Sequence, residues 1–207
     1  MTLTVDSLRH GIAAVLRMLD ARHQTLNELD GKIGDGDLGI TLLKAFRELD
    51  RVKADLPDDL ATAFMTTAAA VTRVSSSSYG TLLATSLMTA AKATKGRDSL
   101  PWSELPPLLD AAVAAMSARG KADLGDKTVL DALDAAAGAV TGEAEPAAMA
   151  RKACAGIDGA LVVFRDKPNR IGRARIFAAR TIGMDDPGMV ALRMMAGALA
   201  GDAPEPA

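Results

Sequence analysis

An all-α fold is what this sequence predicts, on three observations. Apolar residues recur at helical spacing along almost the whole chain. Alternating β-branched and aromatic runs are scarce, with aromatics at only 3%. Alanine, the strongest helix former and small enough to let helices approach closely, is abundant. In order, the apolar stripes are Val5, Leu8, Ile12, Val15, Leu16 and Leu19; Leu42, Leu43, Phe46, Leu49 and Val52; Leu60, Phe64, Ala68 and Val71; and Leu82, Leu83, Ser86, Leu87 and Ala90. Then come Leu105, Leu108, Leu109, Ala112, Val113 and Met116; Val129, Leu130, Leu133, Ala136 and Val140; Met149, Ala153, Ile157, Ala160, Leu161 and Phe164; and Val190, Met194, Met195 and Ala198. These stripes make eight helices. Breaks rich in Gly, Pro, Asp and Ser fall at 31–39, 75–80, 96–101, 120–125, 141–146 and 166–188. Residues 202–207 read as a frayed end.

A length of 207 residues is enough for one domain, 1–207, with a substantial core. Basic and acidic side chains nearly balance, 24 against 26, without a Lys/Arg run, so the chain lacks the footprint of a nucleic-acid binder. The single cysteine, Cys154, has no partner for an internal disulfide and sits among alanines as a small buried hydrophobe, which suits a reducing cytoplasm. The apolar run at 11–19 is interrupted by Arg17 and is followed by no cleavage site, unlike a signal peptide. The uncharged stretch 74–91 carries five serines and three threonines, which argues against a membrane span.

The densest chemistry lies at Asp30-Gly31-Lys32-Ile33-Gly34-Asp35-Gly36-Asp37-Leu38-Gly39. Three carboxylates this close repel one another unless a cation sits among them, and hard oxygens on a flexible turn suit Mg²⁺ with a nucleotide phosphate. A plain Asp/Gly turn is the competing reading. Gly34-Asp35-Gly36-Asp37-Leu38-Gly39 also matches the dinucleotide glycine fingerprint, but no strand precedes it and bare aspartates would face the pyrophosphate. The EF-hand template fails as well, since it would place Phe46 where the bidentate Glu belongs.

Three further segments carry candidate contacts. Gly120-Lys121-Ala122-Asp123-Leu124-Gly125-Asp126-Lys127-Thr128 has the glycine spacing of a phosphate loop with one residue too many before Lys-Thr, and it follows a helix; taken alone, a helix C-cap at Gly120 and an N-cap at Asp126 explain it better. Ser75, Ser76, Ser77 and Ser78 lie just before a helix, where hydroxyls and free N–H groups make an anion site. The last connection carries Arg165, Lys167, Arg170, Arg173, Arg175 and Arg180, cations suited to phosphate or to a solvated basic loop. It ends in Asp186 and Pro187, a good helix start in its own right. His10 and His23, with one cysteine, cannot supply a hydrolase triad or a zinc site.

Taken in this order, Leu29-Asp30 with Ile33 to Gly39, the serine loop, Ser117-Ala118-Arg119-Gly120-Lys121-Ala122 with Gly125-Asp126-Lys127-Thr128, and Gly172-Arg173-Ala174 through Arg180-Thr181-Ile182-Gly183 to Asp186-Pro187-Gly188, the chain resembles the L subunit of bacterial dihydroxyacetone kinases. The resemblance covers nearly the whole length. It implies a barrel-like antiparallel bundle of eight helices with the nucleotide, ADP or ATP, at one end. Asp30, Asp35 and Asp37 would hold two Mg²⁺ ions. Leu38, Gly39, Ile40, Thr41, Ser75, Ser76, Ser77, Ser78, Gly125, Thr128, Arg173, Asp186, Pro187 and Gly188 would line the nucleotide site. Arg173 would join the aspartates in phosphoryl transfer. The departures are Leu38 where relatives usually have His, four serines in place of a longer Gly-Gly-x-Ser-Gly loop, Arg175 for Ser and Ala179 for Glu.

No residue here is an obvious base for an acceptor hydroxyl. That fits the family, in which a separate K subunit holds the hydroxy-ketone through its own histidine and the L subunit presents the nucleotide. In some members a phosphotransferase-system protein rephosphorylates bound ADP; in others ATP exchanges. The implied role is the nucleotide-bearing, phosphoryl-donating subunit of a cytoplasmic keto-sugar kinase. The alternative is a non-catalytic ADP-binding regulator derived from it.

Overall fold

The computed structural model describes residues 1–202. Its helices are α1 (Val5–Asp30), α2 (Leu38–Val52), α3 (Leu60–Val74), α4 (Ser78–Ala93), α5 (Leu105–Gly120), α6 (Val129–Val140), α7 (Pro146–Arg165) and α8 (Pro187–Ala200). Each apolar stripe has become one of these helices. Their starts are set by side chains that take up free backbone N–H groups. Thr4 with Ser7, and Thr128 with Asp131, form reciprocal capping boxes. Asp59 accepts from Thr62 N at 2.7 Å, Ser77 from Gly80 N at 3.0 Å and Asp186 from Met189 N at 2.9 Å.

Every helix packs on the next in sequence, and α8 returns to pack on α1, so the bundle closes into a ring. The seam is tight: a Cβ on Gly11 of α1 would sit 3.2 Å from Leu199 Cδ2 of α8. Leu19, Leu26, Leu42, Leu43, Leu60 and Val71 fill the main core with essentially no exposure. A smaller cluster of Ala132, Ala136, Ile157, Ala160 and Met189 joins α6, α7 and α8. Here Gly156 lies so near α6 that a Cβ would fall 2.6 Å from Ala135 O.

Two features depart from the all-helix reading. Thr2–Thr4 (β1) pairs antiparallel with Ser99–Pro101 (β2), with Leu3 opposite Leu100, which closes the end where α1 begins and α4 gives way to α5. The last connection holds a 3₁₀ stretch, Arg173–Thr181, kinked at Ala178, whose φ is 44°. Of the expected frayed end, Asp202 is fastened, its N–H donating to Gly197 O at 2.9 Å and its carboxylate facing Arg193. Residues 203–207 lie outside the described residues.

Candidate nucleotide and metal site

Short connections make neighbouring helices antiparallel, so the odd helices end, and the even helices begin, at the same end of the ring. There the chain walls a cleft of about 780 Å³. Its lining comes from all four connections at that end: Asp30, Asp35, Asp37 and Leu38; the serine loop with Tyr79; Arg119 with Thr128; and Arg173 with Asp186, Pro187 and Gly188.

The aspartate turn is built by the α1–α2 contact. Asp30, the last residue of α1, turns its Oδ2 to the backbone N–H groups of Gly36, Asp37 and Leu38 at 2.9, 3.0 and 3.4 Å. Asn27, one turn earlier, accepts from Ile40 N at 3.1 Å. The first N–H groups of α2 are thus satisfied from α1. Glycine is required at Gly34, where a Cβ would stand 2.2 Å from Asp30 Oδ1, and at Gly39, where it would stand 1.9 Å from His23 O.

This leaves Asp37 in an unusual position. It is the N-cap residue of α2, yet its side chain makes no capping bond, whereas Asp59 and Asp186 both do. Oxygens of Asp30, Asp35 and Asp37 lie within 4.8 Å of one another. No basic residue stands in the last turn of α1, so its carbonyl end adds to the negative field that the three carboxylates make. A hard donor set in which Asp37, the N-cap of α2, is uncommitted and which lies beside the carbonyl end of α1 fits Mg²⁺. The counter-charge within the chain is Arg173, whose guanidinium pairs with Asp35 across 138 positions of sequence.

Asp186 lines the same cleft, with its oxygens turned to Asn169 Nδ2 and Met189 N. Partial burial in the cleft wall pushes its carboxyl up to about 6, against the pull of N–H groups from Met189 and Gly188, the Asn169 amide and the Lys127 charge. Tyr79 lines the same wall, and burial together with Asp186 pushes its phenol up.

Several predicted contacts stand elsewhere. Gly39 and Ile40 are not on the cleft wall; their backbone is turned against α1, as the close approach to His23 and the bond to Asn27 require. Gly125 is also off the wall, with φ +100° and its N–H donating to Asp131 Oδ1 at 2.5 Å. Leu38, Thr41, Thr128, Asp186, Pro187 and Gly188 do line it. Within the serine loop the roles divide. Ser77 Oγ caps α4 and meets Ser75 Oγ at 3.1 Å, while Ser76 and Ser78 are exposed on the wall.

The basic connection divides in the same way. Arg165 forks onto Asp185 with two bonds of 2.8 Å, Lys167 lies 4.0 Å over the Phe164 ring and Arg180 lies 5.7 Å from the Phe177 ring. Of the six cations predicted to meet phosphate, Arg173 reaches the cleft wall. The near-miss phosphate loop fails for a different reason. Lys127 is fully buried, burial lowers its pKa, and its Nζ bonds backbone carbonyls instead of facing the cleft. Sequence reasoning missed Asn27, Asn169, Lys44 and Arg119. Asn27 and Asn169 act through backbone contacts that no motif marks, whereas Lys44, one turn after Thr41 on α2, was within reach of helical periodicity.

With this geometry in hand, likeness to known proteins is decisive. A model of the DAK2 domain matches residues 32–201. The chain belongs to the DAK2-domain family. Among its relatives is the ADP-binding subunit DhaL of PEP-dependent dihydroxyacetone kinase 1 from Listeria innocua, 30% identical over 170 residues that make 80% of each chain. The human triokinase/FMN cyclase is 32% identical over 173 residues, 80% of this chain and 30% of that protein. The crystal structure of Citrobacter freundii dihydroxyacetone kinase with AMP-PNP and Mg²⁺ superposes with a TM-score of 0.74 at 26% identity, covering 98% of this chain and 35% of that one. The chain therefore spans about a third of these longer kinases and most of the bacterial subunit. The all-α DAK2-domain fold and the kinase kinship read from the sequence both stand. Among the described residues no helix is long and apolar enough to cross a membrane.

Proposed function

We propose that this chain is the nucleotide-bearing, phosphoryl-donating subunit of a kinase for dihydroxyacetone or a related small keto-sugar, acting as one domain with a separate substrate-binding K subunit. One observation carries the reading: a cleft in which an N-cap aspartate withheld from its own helix joins two further carboxylates, opposite an arginine from the far end of the sequence. Relatives that are ADP-binding subunits and dihydroxyacetone kinases support it.

Asp30, Asp35 and Asp37 would hold two Mg²⁺ ions, and bound metal would supply charge neutralisation and Lewis-acid polarisation of nucleotide phosphate oxygens. The chain's own groups do the rest. Ser76, Ser78 and Thr128 offer hydroxyls on the wall, and Arg173 supplies a planar cation able to fork onto phosphate. Leu38, Tyr79 and Val129 give the cleft apolar surface that excludes water. Phosphoryl transfer asks for positioning and charge more than covalent chemistry. Substrate binding then falls to the partner, and recharging of bound ADP to ATP exchange or to a phosphotransferase-system protein.

Calorimetry of ADP with Mg²⁺ and then with excess chelator tests the site; equal affinity in both refutes it. A coupled assay with dihydroxyacetone, with and without a K subunit, tests the role. Turnover by the isolated chain would misplace the substrate site. Mg-ADP binding without turnover in the presence of a matched K subunit would identify the regulator instead.

A further inference from the structure

Lys127 is the largest fully buried side chain of the described residues, and the cleft chemistry does not use it. Its Nζ donates to Lys167 O at 2.7 Å, Thr181 O at 2.9 Å and Arg165 O at 3.2 Å. An ammonium has three donors, so all are taken. Its own carbonyl accepts from Asn169 Nδ2 at 2.8 Å, and that amide also donates to Asp186 Oδ2 at 2.8 Å. Asn169 N donates to Thr181 Oγ1 at 2.9 Å, and Arg170 N to Asp126 O at 3.1 Å. The connection 166–186 is thus an arch. One foot, at Arg165, Lys167 and Asn169, and the other, at Thr181, bond directly to one residue just before α6, and Asp186 joins them through Asn169. Arg173 rides on the span between them, four positions from Asn169 and eight from Thr181.

The chemistry explains why a lysine stands here. Three carbonyls aimed at one point need donors; Arg165 O also accepts from Gly183 N at 2.8 Å, but an apolar replacement would take the Nζ donor from Lys167 O and Thr181 O. Burial of the charge is costly in itself, so the residue is expected to serve what the arch carries. Ile176, Ile182 and Met184 on the arch are exposed, and its other fastenings are the Arg165 fork onto Asp185, the bond from Gly183 N to Arg165 O and the packing of Ile171.

We propose that Lys127 is a positioning residue, which pins both feet of the 166–186 arch so that Arg173 is held over the aspartate triad, and thereby sets nucleotide affinity without touching the nucleotide. The proposal rests on the nucleotide reading above for its last clause and on the hydrogen bonds alone for the first. It departs from the phosphate-binding role that the Gly-spaced Lys-Thr sequence suggests.

The test uses the full chain with Lys127→Met, alone and combined with Arg173→Gln. In metal- and nucleotide-free protein, amide hydrogen exchange across 167–186 should speed up at least about 10-fold, while α1 to α4 keep their protection. In calorimetry with Mg-ADP, Lys127→Met should weaken binding about 10-fold in the natural background and less than about twofold when Arg173 is already Gln. Equal losses in both backgrounds would make Lys127 independent of Arg173 and overturn the proposal, as would unchanged exchange in the arch. A uniform rise in exchange through all helices would also overturn it, showing a general stabiliser. Should Lys127→Met fail to fold, Thr181→Val, which removes the hydroxyl that accepts from Asn169, is judged by the same criteria. If the natural protein binds no Mg-ADP, the nucleotide reading falls while the exchange arm still decides the clamp.

Discussion

The two ends of the ring spend their carboxylates differently. Away from the cleft, acidic groups are committed to structure. Asp59 caps α3, Glu145 accepts from Ala147 N and Ala148 N at the start of α7, Glu104 forks onto Arg97, and Glu143 binds Lys152. Hydrogen bonds and neighbouring cations accordingly hold Asp59, Glu104 and Glu143 below the usual carboxylate range, Glu143 at about 2. At the cleft end Asp37 caps nothing, three carboxylates crowd together, and Asp186 is pushed the other way. At one end the carboxylates are committed to the fold, and at the other three of them crowd together without capping a helix of their own. Strain of this kind at one end of an otherwise consistent structure is what a functional site looks like.

The largest effect that could break this contrast is at the triad. Asp37→Asn should weaken Mg-ADP binding about 1000-fold, about 4 kcal/mol, by calorimetry, while thermal unfolding stays unchanged or shifts upward as repulsion is relieved. A drop in stability would put Asp37 with the structural carboxylates. Next comes Gly39→Ala, whose methyl would meet the His23 carbonyl of α1; about 3 kcal/mol of destabilisation in urea titration is expected, because backbone cannot move aside as a side chain can.

The pH responses of the two ends should have opposite sign. Asp186 holds its proton more tightly folded than unfolded, so its contribution favours the native state at low pH and declines as pH rises from about 4 to about 6. Water at the cleft edge reduces a full effect of about 3 kcal/mol to about 1–2, and Asp186→Asn should abolish that slope in urea titrations across this range. Glu143 has a lowered folded pKa, so its contribution is present above about 4.5 and is lost as pH falls towards about 2. Smallest is Asp59→Ala, where loss of a cap should cost about 1 kcal/mol with Mg-ADP affinity unchanged. A loss of affinity there would show the two ends to be coupled.

What was legible in the sequence follows the range of the interactions. Helical stripes are local, and all eight appear as predicted. The aspartate triad was legible because its members lie within eight positions, although the reason Asp37 is free, Asp30 and Asn27 capping α2 from another helix, was not. The Lys127 bonds span 38 to 54 positions and the Arg173–Asp35 pair 138, and no local pattern encodes them. The glycine spacing before Lys127 even pointed the wrong way: Gly120 is the last residue of α5, and Gly125 turns with φ +100° and gives its N–H to Asp131. The β1–β2 pairing was invisible because three residues are too few for alternation to show.

Closure of the ring has a consequence for how the molecule assembles. In an open stack the first helices can fold and wait for the next, but here α1 at Gly11 packs against α8, whose Leu199 lies 188 positions later. Contacts of such separation are entropically slow to form. During synthesis α1 must therefore keep an apolar flank uncovered until nearly the whole chain has emerged, and Asp186, Pro187 and Gly188 complete the cleft only as α8 docks. The cleft wall and the closed ring are then completed by the same helix, so a chain truncated before α8 is left with neither.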